Sequence, residues 1–292
     1  MSWLINAAQL DKFRKNQKSV IILDASWYLP TMERHAKQEF MDKHIIDAHF
    51  FDLNEFHDKE STLPNMLIHD EKIMSEKLGA LGIRDDYKII FYDNSDLHTS
   101  CRALWMMRIL GHNPHQLYIL DGGLAAWEKY GGKIESGDAP ASSKTYSVKF
   151  QNDLLRTLAQ MKENVTHPTE QVIDLRHPVR YAGGLDPRPG VRPGHIPDSY
   201  CFPYTSFFDK ESRFHPLDKI RRLLGDIGVD LTVPTISTCG SGMTAPIMNF
   251  IFDLLDHPKH ALYDGSWSEW GADTLYPDET SLNERPVVTC LK

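Results

Sequence analysis

Residues 233–245 read Val-Pro-Thr-Ile-Ser-Thr-Cys-Gly-Ser-Gly-Met-Thr-Ala, and Pro246 with a largely apolar run follows them. The first six of these residues are typical of a short buried strand, and the run after Pro246 is typical of a helix. Gly240 and Gly242 let the backbone curl so that several N–H groups point inward, and the helix adds the positive end of its dipole. The stretch therefore predicts a strand–loop–helix turn that binds an anion, with Cys239 at the end of the strand.

Cys239 is the residue for which this turn predicts chemistry. Inward N–H groups and a helix N-terminus are expected to favour its thiolate, the form of cysteine that acts as a nucleophile. The alternative is a buried cysteine that packs as a small apolar residue. The other cysteines, Cys101, Cys201 and Cys290, are widely spaced, and the chain has no Cys-x-x-Cys pair. We therefore expect no zinc or other metal site, no disulfide scaffold, no cofactor, and a core position for Cys101.

Composition and charge narrow the classes of partner. The chain has 292 residues, of which 41% are hydrophobic and 25% charged, with a formal net charge of −8. These values predict packed cores and argue against nucleic acid or an anionic membrane surface as the main partner. No segment approaches the roughly 18 apolar residues that span a bilayer, and the first residues lack the pattern of a signal peptide. We expect a cytoplasmic protein whose thiols stay reduced.

The chain repeats itself along its length. Four sequence elements of the first half recur in the second half, in the same order and at nearly constant spacing. The matching ranges are 20–24 with 171–175, 43–48 with 194–199, 88–93 with 234–239, and 120–124 with 263–267. Four ordered matches indicate a duplicated domain.

Each half alternates short apolar strands with helical stretches. This pattern favours an α/β fold with a parallel sheet flanked by helices on both faces. The turn-rich stretch 136–143 reads as a linker. We therefore predict two tandem domains, at residues 1–140 and 141–292. Where the second half has the cysteine loop, the first has Asp93-Asn94-Ser95-Asp96, so the first domain is expected to be non-catalytic.

These elements together resemble the two-domain rhodanese-like sulfurtransferases over essentially the whole chain. The shared hallmarks are the His-Ile-Pro element at 195–197, the Asp-Gly-x-x-x-x-Trp element at 264–270 and the cysteine loop. The loop is similar to the Cys-Gly-Ser-Gly-Val-Thr-Ala loop of the mercaptopyruvate branch, whereas the thiosulfate branch typically carries Arg and Lys inside it. The resemblance implies two rhodanese-like domains, of which only the second is catalytic.

The reaction implied by the resemblance moves sulfur from 3-mercaptopyruvate to an acceptor. Cys239 attacks the donor sulfur and keeps it as a persulfide while pyruvate leaves. A thiol such as thioredoxin or glutathione, or cyanide, then removes the outer sulfur. Two half-reactions through a covalent intermediate predict ping-pong kinetics.

The same resemblance implies a set of residues that bind the donor. The family places two arginines in the loop before the His-Ile-Pro element, and their positions here are Arg180 and Arg188. The interval between them is one residue shorter than expected in the mercaptopyruvate branch, so Arg176 or Arg192 is an alternative. In the cysteine loop the predicted substrate-binding residues are Gly240, Gly242, Met243 and Thr244.

Ser241 is the second predicted catalytic residue, as a donor to the enolate oxygen or a relay for its proton. Its alternative role is only to let the loop turn. In the mercaptopyruvate branch an Asp and a His from the first domain are often proposed to act with this serine. The matching positions here are Asn54 and Asn65, and neither side chain can act as a base. Water, His57 or Asp52 remain as proton sources, or the relay is not essential.

Three other functions compete with this interpretation. A cysteine phosphatase needs an arginine six residues after the cysteine, where this chain has Ala245. Thiosulfate:cyanide sulfurtransferase (rhodanese) activity is the nearest alternative among enzymes. A persulfide-binding or signalling module is the alternative from another class, and the cysteine loop with its paired arginines argues against it.

Overall fold

A computed structural model describes residues 3–16, 19–138, 141–184, 186, 188–257 and 259–289. The strands are β1 (Leu4–Ile5), β2 (Val20–Asp24), β3 (His44–Ile45), β4 (Ala48–Phe50), β5 (Lys88–Tyr92), β6 (Leu117–Leu120), β7 (Ile134–Glu135), β8 (Leu155–Arg156), β9 (Gln171–Asp174), β10 (Tyr200–Cys201), β11 (Thr235–Thr238) and β12 (His260–Tyr263). The α-helices are α1 (Ala7–Asn16), α2 (Ala36–Asp42), α3 (Glu71–Ala80), α4 (Ser100–Ile109), α5 (Gly123–Tyr130), α6 (Leu158–Thr166), α7 (Pro178–Tyr181), α8 (Leu217–Asp226), α9 (Pro246–Leu254) and α10 (Ser266–Trp270).

The described residues divide into two compact units. The first unit is drawn from 1–58, 67–151 and 208–214, and the second from 59–66, 152–207 and 215–292. Each unit thus contains a short segment from the other half of the sequence. The predicted boundary between residues 140 and 141 falls at Pro140, which lies outside the described residues together with Ala139, so it stays a prediction. Residues 141–151 pack with the first unit.

Both units contain a five-stranded parallel sheet of the same topology. The order is β4-β2-β5-β6-β1 in the first and β10-β9-β11-β12-β8 in the second, with every neighbouring pair parallel. Each strand occupies the place of its sequence repeat, so the α/β fold class and the duplication are confirmed. The antiparallel pair β3-β7 of the first unit corresponds to a single antiparallel bridge between His195 and Val288 in the second.

The core of the second unit explains where the cysteine loop begins. All four residues of β11 are buried, because helices cover both faces of a parallel sheet. Ile236 packs in a cluster with Val172 of β9 and with Trp267 and Trp270 of α10, and both tryptophans are at most 1% exposed. Helix α9 is buried from Pro246 to Phe252. This packing fixes both ends of the loop that joins β11 to α9.

Within the described part of the chain, we find no helix that is both long enough and apolar enough to cross a membrane.

Candidate active site

Cys239 lies at the carboxyl end of β11, in the loop that enters α9. Its side chain is buried, with the residue only 2% exposed. Helix α9 begins at Pro246, whose fixed φ and missing N–H suit the first helical position. Gly242 adopts a φ of +75°, a left-handed conformation that favours glycine and turns the chain. The structure therefore contains the strand–loop–helix turn that the sequence predicts.

Ser266 pins the two ends of the cysteine loop together. Its Oγ accepts hydrogen bonds from the N–H groups of Cys239 (3.2 Å) and Gly242 (3.1 Å). The same Oγ lies 2.9 Å from the carbonyl oxygen of Tyr263 and 4.0 Å from the Cys239 Sγ. Two loop N–H groups are therefore held by a hydroxyl beside the sulfur rather than aimed at the sulfur itself.

The first half of the chain shows why a serine at this position is informative. Ser266 has a φ of +50°, and its repeat partner Gly123 has a φ of +55°. In both halves the next N–H donates to the carbonyl of the residue after the central strand, namely Cys239 (3.0 Å) or Asp93 (3.2 Å). The backbone arrangement is thus shared. At this position only the half with the cysteine loop has a residue with a side chain, and it keeps the left-handed φ.

The rest of the loop keeps N–H groups for an anion. In the described part of the chain, no hydrogen bond to a protein acceptor uses the N–H groups of Ser241, Met243 or Thr244. They precede α9, whose positive end adds to their effect. The anion-binding role predicted for this loop stays a prediction, and the N–H groups that could perform it are those of Ser241, Met243 and Thr244.

Arg180 and Arg188 meet at the cysteine loop and share one carboxylate. A Cβ at Gly240 would lie 3.3 Å from Nη2 of Arg180 and 3.6 Å from both Nη atoms of Arg188. Asp186 binds both guanidinium groups, at 2.6 Å from Arg180 Nη2 and 2.9 Å from Arg188 Nε. The absence of a side chain at position 240 therefore leaves room for the two arginines.

Arg188 also binds the protein around the cysteine loop. Its Nη1 donates to the carbonyl oxygen of Gly240 (2.5 Å) and to Oγ of Ser268. The Ser268 hydroxyl in turn donates to the same Gly240 oxygen (2.9 Å). Arg188 thus ties the arginine loop to the cysteine loop and to α10.

Arg176 and Arg192, the alternatives to these residues, both bind groups of the fold. Arg176 is buried against Asp174 (2.7 Å), and its guanidinium lies over the ring of Trp267. Arg192 donates to main-chain carbonyls, including those of Trp270 (2.8 Å) and Arg285 (2.9 Å). Both guanidinium groups are used to hold the fold together.

Ser241 contacts Asn65, which belongs to the same compact unit as the cysteine loop. Asn65 Nδ2 donates to Ser241 Oγ at 2.9 Å and to the Ser241 carbonyl oxygen at 3.2 Å. Because a carbonyl oxygen only accepts, the second contact fixes which end of the amide faces Ser241. Asn54 lies instead in the first unit, where its Oδ1 accepts from Trp27 Nε1 (2.9 Å) and its Nδ2 donates to Asp52 (3.0 Å).

Burial shifts the pKa of Cys201, Cys101 and His57. Burial raises the pKa of the Cys201 thiol to about 11, with a further contribution from Asp174. Burial also raises the pKa of Cys101, which lies in the core of the first unit as predicted. The pKa of His57 is lowered to about 3 by burial and by the charge of Arg102. His57 is therefore a neutral imidazole at physiological pH.

The two repeated histidines have matching structural contacts. His44 Nδ1 lies 2.7 Å from the Phe40 carbonyl and its ring stacks on Phe40. His195 Nδ1 lies 2.8 Å from the Tyr181 carbonyl and its ring stacks on Tyr181. Since the first half has no cysteine loop, the shared arrangement favours a structural role for both.

Comparison with known proteins agrees with this geometry. The family model of the rhodanese-like domain matches residues 6–130 and 157–273. The chain belongs to the rhodanese-like family. It is 36% identical to 3-mercaptopyruvate sulfurtransferase of Homo sapiens, over 85% of this chain and 84% of that protein. It is also 36% identical to thiosulfate sulfurtransferase of Gallus gallus, over 85% of both chains. The crystal structure of SseA from Escherichia coli superposes with a TM-score of 0.82 and 30% identity, over 92% of this chain and 100% of that one.

Sulfur transfer is the function of this family, so the sequence-based assignment to a sulfurtransferase with tandem rhodanese-like domains is confirmed. Sequence reasoning missed three residues of the rhodanese-like site, namely Asp186, Ser266 and Ser268. Ser266 could have been found from the repeat, since it replaces Gly123 of the first half. Asp186 stands two residues before Arg188, where a carboxylate within reach of two arginines is a usable signal.

Proposed function

We propose that this chain transfers sulfur from 3-mercaptopyruvate, through a persulfide on Cys239, to a thiol or cyanide acceptor, and releases pyruvate. The observation that carries the proposal is the position of Gly240 against the guanidinium groups of Arg180 and Arg188. A nucleophilic sulfur beside paired arginines suits a donor whose sulfur and carboxylate are a few atoms apart. The human relative named for this donor supports the same assignment.

The first half-reaction is a displacement at the donor sulfur. The Cys239 thiolate attacks the thiol sulfur of 3-mercaptopyruvate, and a bond forms between the two sulfur atoms as the bond from carbon to sulfur breaks. The electron pair of the broken bond passes to pyruvate as its enolate. A proton from water then binds the enolate carbon and gives pyruvate, while the thiol proton stays with the persulfide.

Two groups stabilise the charges that this step moves. The N–H groups of Ser241, Met243 and Thr244, in the same loop as Cys239, stabilise its thiolate before the attack. Ser241 accepts a hydrogen bond from Asn65, and its own hydroxyl hydrogen donates to the enolate oxygen. Asn65 cannot take up a proton, so we assign Ser241 as a hydrogen-bond donor and not as a proton relay.

The second half-reaction regenerates the cysteine. A thiolate of an acceptor such as thioredoxin or glutathione attacks the outer sulfur, and the bond to Cys239 Sγ breaks. The products are the acceptor persulfide and the Cys239 thiolate; cyanide in the same role gives thiocyanate. We further propose a reducing cytoplasm as the location, since the three described cysteines are free thiols and Cys290 lies outside the described residues.

Thiosulfate is the second candidate donor. It is favoured by the thiosulfate sulfurtransferase of Gallus gallus, which is as similar to this chain as the human relative is. In that reaction the same attack on the outer sulfur would release sulfite. The neutral residues Gly240 and Ser241 of the loop favour 3-mercaptopyruvate over this doubly charged donor.

Intact-mass spectrometry with each donor tests the assignment. After 3-mercaptopyruvate and without an acceptor, the protein is expected to gain one sulfur atom, and one pyruvate should appear per chain. Cys239→Ser should gain no sulfur, whereas the matched control Cys201→Ser should behave as the wild type. Transfer by Cys239→Ser, or higher kcat/KM with thiosulfate than with 3-mercaptopyruvate, would contradict the proposal.

A further inference from the structure

Asp186 is a buried carboxylate enclosed by the two arginines of the site. It accepts from Arg180 through Nε (3.1 Å) and Nη2 (2.6 Å). It accepts from Arg188 through the backbone N–H (3.1 Å), Nε (2.9 Å) and Nη2 (2.9 Å). Its side chain is 2% exposed, against 29% for Arg180 and 27% for Arg188. Five hydrogen bonds hold one carboxylate at the inner side of both guanidinium groups.

The two arginines keep different donors for a ligand. Arg188 uses Nε and Nη2 for Asp186, and Nη1 for Gly240 and Ser268. Arg180 uses only Nε and one N–H of Nη2, and within the described residues its Nη1 donates to no protein acceptor. A guanidinium has five N–H donors, so Arg180 keeps three N–H groups on its outer edge that can bind a carboxylate. Arg188 instead has a structural role, since each of its nitrogens already donates to the protein.

The three side chains together carry a single positive charge. Burial opposes ionisation of Asp186, but hydrogen bonds from Arg188 and Arg180 hold its pKa well below the usual range. Two guanidinium groups and one carboxylate therefore sum to a net charge of +1 beside the cysteine loop.

We propose that Asp186 is a specificity-determining residue, which lowers the charge of the donor site from +2 to +1 and so reduces the advantage that a doubly charged sulfur donor has over a singly charged one. The proposal rests on the proposed function, because it concerns the donor of that reaction. Asp186 is assigned no contact with the reacting atoms. Its carboxylate acts through its negative charge and through its hydrogen bonds to the Nε and Nη2 edge of Arg180.

Coulomb attraction explains why such a carboxylate selects between donors. 3-Mercaptopyruvate brings one carboxylate, whereas thiosulfate brings two charges into the same pocket. A unit negative charge about 6 Å from the donor, in the dielectric of a partly exposed site, disfavours each additional donor charge by about tenfold. Removing Asp186 is therefore expected to favour thiosulfate over 3-mercaptopyruvate.

The test compares kcat/KM for the two donors in matched variants. Asp186→Asn removes the charge and keeps the shape, Asp186→Glu keeps the charge, and Asp226→Asn removes an exposed carboxylate at the end of α8 as the control. We expect the ratio of thiosulfate to 3-mercaptopyruvate kcat/KM to rise about tenfold in Asp186→Asn only. Loosening of the arginines weakens the doubly charged donor more and so lowers the ratio, which is opposite in sign to the expected rise.

An unchanged ratio in Asp186→Asn, or an equal rise in Asp226→Asn, overturns the inference and leaves the proposed function in place. A wild type that turns over neither donor overturns the proposed function itself. If Asp186→Asn does not fold, Asp186→Ser removes the same charge and takes its place in the test. An unchanged ratio in Asp186→Ser then overturns the inference.

Discussion

The contact between Asn65 and Ser241 gives the sharpest prediction about the site. Asn65 has a φ of +61°, a conformation open to Asn, Asp and Gly, so Asn65→Gly and Asn65→Asp are expected to keep the backbone. Asn65→Gly removes the donor to both the Oγ and the carbonyl oxygen of Ser241. The loss of the hydrogen bond to the hydroxyl, the group assigned to the enolate, is about 1 kcal/mol, which lowers kcat/KM for 3-mercaptopyruvate about fivefold.

Asn65→Asp is expected to have a much larger effect than Asn65→Gly. The new carboxylate accepts the Ser241 hydroxyl hydrogen, which then no longer reaches the enolate oxygen. Its charge, at about 6 Å from the donor carboxylate in this partly exposed site, adds about 1.4 kcal/mol, the same tenfold factor as for Asp186. Together these terms lower kcat/KM about fiftyfold, and about tenfold below that of Asn65→Gly.

Single-turnover release of pyruvate measures the chemical step directly, and a melting curve for each variant provides the control for folding. The reasoning requires kcat to fall in Asn65→Asp, because the lost hydrogen bond is to the enolate that forms during the reaction. Equal rates for the Asp and Gly variants, or a loss confined to KM, would refute the assigned orientation of the Ser241 hydroxyl.

Two further predictions concern Ser266 and Asp24. Ser266→Gly introduces the residue found at the repeat position and removes the acceptor for two loop N–H groups. Each lost hydrogen bond is about 1 kcal/mol, so the single-turnover kcat should fall about ten- to thirtyfold. An unchanged kcat would limit Ser266 to a structural role. Burial raises the pKa of Asp24 to about 6, so between about pH 4 and 6 the folded state holds a proton that the unfolded chain has lost, and the free energy of unfolding falls as pH rises through that window. Asp24→Asn should therefore raise Tm more at pH 8 than at pH 4, and an equal shift at both pH values would contradict the burial argument.

The fold was largely predictable because its signals are local and repeated. Apolar runs predict strands such as those at 20–24 and 171–175. Because the repeated elements occur in the same order in both halves, the two sheets are expected to share one topology, as they do. The destinations of residues 59–66 and 208–214 were not predictable. These segments have no apolar periodicity, and only tertiary packing decides to which unit they belong.

In the candidate site, too, the contiguous part could be predicted from the sequence and the part that depends on tertiary packing could not. The loop of Cys239 is contiguous in sequence, so its turn could be predicted from its glycines and the helix that follows. The partners of Asp186 and Ser266 are determined by tertiary packing. A carboxylate near an arginine in sequence does not reveal which arginines it binds, or that it neutralises part of the charge of Arg180 and Arg188. The same reason made Arg176 and Arg192 look available, although both are bound to the fold.

The exchange of short segments between the units has an evolutionary consequence. Residues 59–66 are encoded in the first half of the chain, yet their Asn65 completes the surroundings of Ser241. A gene fragment that carried only the second repeat would lose this residue, although it retained every element of the parallel sheet. After the duplication, then, the half without a cysteine loop was not free to decay or to be lost, because it had become the source of a residue that the other half needs.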